Sequence, residues 1–139
     1  MKQLTFHKKE NPYTYIANAK EILRTKAQKK GEFYSIPKYV RMAGDTAWHG
    51  VLLAIDYWME KEGHKINRKK RVNVSYYQDF LAQKNLKILN YFNSAYNILH
   101  LFMGYDGELN ANIAKTGIEL AEEILNWVKK YVPELGKEK

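Results

Sequence analysis

The 139-residue sequence has no cysteine, only three prolines and no apolar run longer than five residues. Without cysteine there are no disulfides, no thiolate zinc sites and no cysteine nucleophile. The same absence fits a reducing compartment. The longest apolar run, Val51 to Ile55, ends at Asp56. A membrane-spanning helix needs about 20 apolar residues, so no membrane association is expected. Basic residues near the start, Lys2, Lys8 and Lys9, are followed by no apolar stretch. That pattern is not a signal peptide, and the expected location is cytoplasmic.

Several motifs are missing as well. There is no Gly-x-x-x-x-Gly-Lys-[Ser/Thr] loop, no Gly-x-Gly-x-x-Gly turn and no Gly-x-Ser-x-Gly elbow. Nucleotide cofactors and serine-hydrolase chemistry are therefore unsupported. His7, His49, His64 and His100 show no ligand spacing, and no two helices carry Glu-x-x-His pairs. The expectation is no metal and no cofactor.

What is present is helical periodicity. Asn11-Pro12 reads as an N-cap followed by proline at the first helical position. Ile16, Ala19, Leu23 and Ala27 then keep helical spacing up to Gly31. Ser35-Ile36-Pro37 repeats the signal and opens a second helix of about residues 37–62. This helix is apolar around most of its circumference, which marks it as central. Gly44 and Gly50 lie inside it at about 1 kcal/mol each in helix propensity, and close helix packing is the expected compensation.

A basic connection follows over 64–74, and Ser75 is the expected cap of a third helix. Asn85 either interrupts that helix or sits within a longer one. A fourth helix carries Leu89, Phe92, Tyr96, Leu99 and Met103 to the Asp106-Gly107 turn. The last begins near Asn110 or Asn112 and ends before Pro133. No strand alternation of useful length is visible. The sequence thus predicts an all-α single domain over 1–139, a compact up-and-down bundle of four to five helices. Residues 1–10 and 134–139 are expected to fray.

Chemistry-bearing residues concentrate on the second helix. Arg41, Asp45 and His49 are spaced by four, and with Asp56 they fall within about 80° of arc. Asp45 is expected to accept hydrogen bonds from Arg41 and His49, holding the imidazole as a general acid or base. The competing reading is a surface ion-pair ladder worth a few tenths of a kcal/mol. His100 shares a face with Phe92, Tyr96 and Met103, as either a core histidine or a catalytic partner for His49. The catalytic candidates are accordingly Arg41, Asp45, His49 and His100.

Net charge is +8, from 23 Lys and Arg against 15 Asp and Glu. Such an excess suits an acidic partner or serves as dispersed solubility charge. Lys65, Arg68, Lys69, Lys70 and Arg71, with Tyr76 and Tyr77 nearby, are the nucleic-acid-binding candidates, since cations beside aromatics suit phosphate contact and base stacking. A solvated loop complementing the C-terminal dipole of the second helix explains the same residues.

The segments Arg41 to Asp56, Ser94 to Leu101 and Tyr105-Asp106-Gly107 resemble a small bacterial helical family of unknown function, which in turn looks similar to HEPN bundles. The HEPN resemblance implies a dimer, association with RNA or a partner protein, and metal-independent RNA cleavage through an Arg placed four to six residues before a His. Here Asn93, Ser94 and Ala95 occupy the places before His100 where that arginine would fall.

Three readings follow. One is an RNA-associated, HEPN-like module with weak ribonuclease or toxin–antitoxin function, in which His49 or His100 takes the 2′-hydroxyl proton and Arg41 stabilises the phosphorane. The second is a non-enzymatic homodimeric interaction module, motivated by eleven tyrosines and three tryptophans. The third is a small-ligand pocket between the second and fourth helices, lined by Trp48, His49, Tyr96 and His100.

Overall fold

Four asparagines start four of the helices. In the computed structural model, which describes residues 10–65 and 73–137, α1 spans Pro12–Thr25, α2 Pro37–Lys61, α3 Val74–Lys84, α4 Leu86–Ala95 and α5 Ala111–Lys129. A π-helix, Tyr96–Tyr105, continues α4 directly. The Asn11 side chain accepts from the Tyr13 amide at 2.9 Å. Asn110 accepts from Asn112 and Ile113 at 2.8 and 3.1 Å, which settles the start of the last helix. Asn73, rather than the expected Ser75, caps α3, accepting from the Ser75 amide at 3.1 Å and its hydroxyl at 2.7 Å.

Asn85 answers the question about the third helix. Its extended backbone (φ −164°, ψ 108°) ends α3, and its side chain accepts from Lys87 and Ile88 to start α4. Caps of this kind contribute about 1 kcal/mol each. Before α2 the cap position falls to Ile36, which has no side-chain acceptor, so Pro37 alone marks that start.

α2 is the axis of the fold. Val51 to Met59 are all buried, Asp56 among them at 0% exposure. α1, α3, α5 and the π-helix all pack on it. The all-α class expected from periodicity holds, with a single hydrophobic cluster joining the described helices. Gly50 lets α1 approach: a Cβ there would stand 2.9 Å from Tyr15 Cβ and 3.0 Å from the Pro12 carbonyl oxygen. Gly44 does the same for the π-helix, with a Cβ falling 2.5 Å from the Leu99 carbonyl oxygen. Both glycines are used as the sequence reading supposed.

Three features differ from expectation. First, α1 ends at Thr25, and residues before and after Gly31 form a small antiparallel hairpin, β1 (Lys29–Lys30) and β2 (Phe33–Tyr34), with Lys30 opposite Phe33. Gly31 takes the positive φ (+63°) that a two-residue hairpin loop requires at its first position. The hairpin is held against the start of α5 by Tyr34 N–H to the Leu109 carbonyl and Ala111 N–H to the Glu32 carbonyl. With two residues per strand, it is too short to show alternation.

Second, the stretch read as the end of an α-helix is wound as π, with i→i+5 bonding such as Asp106 N–H to the Leu101 carbonyl at 2.9 Å. Ten π residues are unusual, and such turns recur at functional sites. Third, the tail through Lys137 is docked, contrary to the expected fraying from Glu134. Leu135 is 2% exposed. Gly136 accepts from Asn11 Nδ2 at 3.0 Å, and Glu134 pairs with Lys61 at 3.1 Å.

Candidate functional site

The side of α2 that carries Trp48 faces α4 and the π-helix. Trp48 packs on Phe92 at 5.1 Å between ring centroids, on Tyr96 at 5.6 Å and on His100 at 6.1 Å. Tyr96 and His100 are themselves stacked at 5.4 Å. Tyr77 of α3 extends the series through Phe92 at 6.1 Å. Each well-placed ring pair adds about 0.5–1.5 kcal/mol beyond area burial. The rings form one continuous wall.

Beside this wall lies an open groove of about 570 Å³, bounded by Trp48 and Leu52 from α2, Asn73, Val74 and Tyr77 from α3, and Tyr96 and His100 from the π-helix. Its volume falls within the range of small-molecule sites, ~300–1,000 Å³. The Nδ1 of His100 is buried and has no hydrogen-bond partner among the described residues. An unpaired buried nitrogen costs about 1–3 kcal/mol, so its persistence calls for a reason.

The polar stripe of α2 divides. Arg41 donates from Nε to the Tyr105 carbonyl at 3.4 Å and from a terminal nitrogen to the Asp106 carbonyl at 3.5 Å. It thereby covers the C-terminal end of the π-helix, where a cation is favoured. Asp45 reaches the same helix through Gly104, where any Cβ would collide with its Oδ1. Partial desolvation against the π-helix raises the Asp45 carboxyl from its ordinary value, although the residue keeps an exposed side, and nearby His100 partly opposes the rise.

His49 turns the other way, its ring 4.8 Å from that of Tyr15 on α1. Among the described residues no hydrogen bond joins Arg41 or His49 to Asp45, contrary to expectation: Arg41 is engaged with backbone carbonyls, and the His49 ring lies against Tyr15. Asp56 is in the core. The structure thus sets Asp45 within electrostatic reach of His100 and lays the His49 ring against α1.

Among the basic candidates, Lys65 is exposed and its carbonyl accepts from Tyr76 Oη at 3.4 Å. Arg68, Lys69, Lys70 and Arg71 lie outside the described residues. Among the described residues no three His, Asp or Glu side chains converge as metal ligands, and no helix is long and apolar enough to cross a membrane.

A sequence family described as a domain of unknown function, DUF5618, matches residues 7–130. The chain belongs to the DUF5618 family. It is also similar to a solved structure, a protein of unknown function from Dyadobacter fermentans. Identity is 42%, the match covers 88% of this chain and 92% of that one, and the TM-score is 0.76. None of the curated proteins matches.

In this DUF5618 domain the groove contains three of the four residues expected of a pocket between the second and fourth helices. Trp48, Tyr96 and His100 are there. His49 is not, because neighbours on a helix point about 100° apart and Trp48 takes the groove side. Asn73, Val74, Tyr77 and Leu52 were not anticipated as lining residues. The cluster of Tyr76 and Tyr77 beside the basic connection was the available signal for α3's contribution.

Proposed function

We propose that this DUF5618 protein is an RNA-associated binding module, and that the groove bounded by α2, α3 and the π-helix receives a segment of single strand. The observation that carries this reading is an open aromatic groove on a chain of net charge +8. Stacking rings with cations along the backbone path are the usual means of holding single-stranded nucleic acid. The basic run Lys65, Arg68, Lys69, Lys70 and Arg71 ends two residues before Asn73 in the sequence. It is assigned to phosphate contact. The likeness to HEPN bundles belongs to this proposal.

In the cleaving form of the same reading, His100 takes the 2′-hydroxyl proton and Asp45 acts on His100 as a positioning charge. The 2′-oxygen bonds to the adjacent phosphorus as the P–O5′ bond breaks, and the 5′-oxygen leaves with a proton from water. His49 is assigned to packing on Tyr15, and Arg41 to holding the π-helix end. The decisive experiment measures fluorescence anisotropy of a labelled single-stranded RNA at two salt concentrations, with a parallel cleavage assay in EDTA. Binding that weakens with salt supports the module. Cleavage lost in His100→Ala and kept in His49→Ala assigns the chemistry. Neither binding nor cleavage would discard the RNA reading.

A second reading, a homodimeric interaction module, is favoured by Phe102 and Tyr105, which are 43% and 78% exposed on the π-helix. Aromatics left in solvent are typical of contact surfaces. Light scattering tests it, and a monomer at high concentration would sink it.

A further inference from the structure

We infer that the groove takes an uncharged planar heteroaromatic ring, presented either as a free small molecule or as an unpaired base of a nucleic acid. The inference rests on the groove being the binding site, as proposed above. It goes further by naming the chemistry of what enters.

The wall of the groove is π surface, with Trp48, Tyr96 and His100 set 5.4–6.1 Å apart. None of the lining residues among the described ones is Lys, Arg, Asp or Glu. Among the described lining residues only His100 can carry a charge, so a phosphate seated against the rings away from it would lose its water without a counter-charge, which is strongly unfavourable. A ring with no net charge loses little on entry and stacks.

Directional polar groups argue for a heterocycle over a hydrocarbon or a quaternary ammonium ion. Asn73 spends its side-chain oxygen on Ser75 at 2.7 and 3.1 Å, and its Nδ2 makes no hydrogen bond among the described residues. That leaves two donors of Asn73 for an acceptor such as a ring nitrogen or carbonyl. His100 holds its buried Nδ1 without a hydrogen-bond partner among the described residues. A quaternary ammonium ion, with no N–H donor and no acceptor, would use the rings and leave both groups unsatisfied. The volume, about 570 Å³, exceeds that of one ring and accommodates a sugar attached to it.

The test is intrinsic tryptophan fluorescence of the full chain titrated with adenosine, uridine, inorganic phosphate, tetramethylammonium and a short single-stranded RNA. Trp48→Phe identifies the signal. Tyr96→Leu keeps apolar bulk while removing the ring, and circular dichroism confirms that the variant is folded. The expected result is saturable nucleoside binding that is insensitive to salt and weakened about tenfold or more in Tyr96→Leu.

If RNA then displaces nucleoside, the ring comes from a nucleic acid. If nucleoside binds and RNA does not compete, it comes from a free heterocycle. Both outcomes support the inference. Absence of nucleoside binding overturns it, as does a Trp48 response to phosphate or tetramethylammonium alone. RNA binding without nucleoside binding would overturn the ring pocket and leave the RNA-associated module standing on phosphate contacts.

Discussion

Gly44→Ala should destabilise the protein, although alanine is the better helix former. In an open helix the replacement gains about 1 kcal/mol. Here the new Cβ would stand 2.5 Å from the Leu99 carbonyl oxygen, 2.6 Å from Met103 Cβ and 2.9 Å from the Gly104 nitrogen. Two of those atoms are backbone and cannot swing away. Reaching an ordinary contact of 3.4 Å requires α2 and the π-helix to part by about 0.9 Å. A gap of that size forfeits a quarter to a half of the dispersion energy of each facing pair.

Overpacking of this kind costs ~1–3 kcal/mol, so after the propensity gain of about 1 kcal/mol the net loss is up to about 2 kcal/mol. For a domain of this length that lowers Tm by up to roughly 6 °C. Urea unfolding followed by circular dichroism is the assay, and the midpoint should fall at unchanged slope. Gly104→Ala, which places a methyl against Asp45 from the opposite side, should be less than additive with Gly44→Ala, because the first change already separates the helices. An alanine variant more stable than the parent would refute the close approach and with it the geometry of the groove's π-helix wall.

Asn85→Ala removes the acceptor for the Lys87 and Ile88 amides and should cost about 1 kcal/mol in chemical denaturation. Leu135→Ala should cost about 2–4 kcal/mol, as for a core leucine, whereas a frayed tail would make it silent in the same assay. Tyr57→Phe loses the 2.6 Å bond to the Glu10 carbonyl and should cost about 1 kcal/mol. Burial, with Glu10 nearby, pushes the Tyr57 phenol from 10.0 up to about 12. Its folded form therefore holds a proton that the unfolded chain has released. This stabilising contribution is complete below pH 10 and is lost as pH rises from 10 towards 12. An unfolding series across that range should show the decline in the parent and a smaller one in Tyr57→Phe.

Local signals were the legible part of the fold. Asn11 and the Pro37 start act through atoms within three residues of themselves, so the sequence alone places them, whereas for α5 it left Asn110 and Asn112 as equal choices until the cap bonds decided. Gly44 and Gly50 were readable too, because a glycine inside an apolar helix has few explanations other than a close neighbour. The π-helix was not, since nothing in Tyr96 to Tyr105 distinguishes i→i+5 from i→i+4 bonding until Gly104 meets Gly44 and Asp45 across the interface. The groove was half visible. Its α2 and π-helix walls follow from the faces of those helices, but Asn73, Val74 and Tyr77 arrive on a helix whose placement is decided by tertiary packing. The supposed Arg41–Asp45–His49 ladder failed for the same reason. Spacing by four brings side chains near each other, and the neighbouring helices then claim Arg41 and His49 separately.

The bond from Asn11 Nδ2 to the Gly136 carbonyl joins residues 125 apart in the chain. The cap itself, Asn11 Oδ1 accepting from Tyr13 N–H, is made within α1, so the Gly136 contact adds a second use of the same side chain. Cutting the chain before Leu135 would therefore leave α1 capped, and would free the Asn11 amide and expose the surface that Leu135 covers.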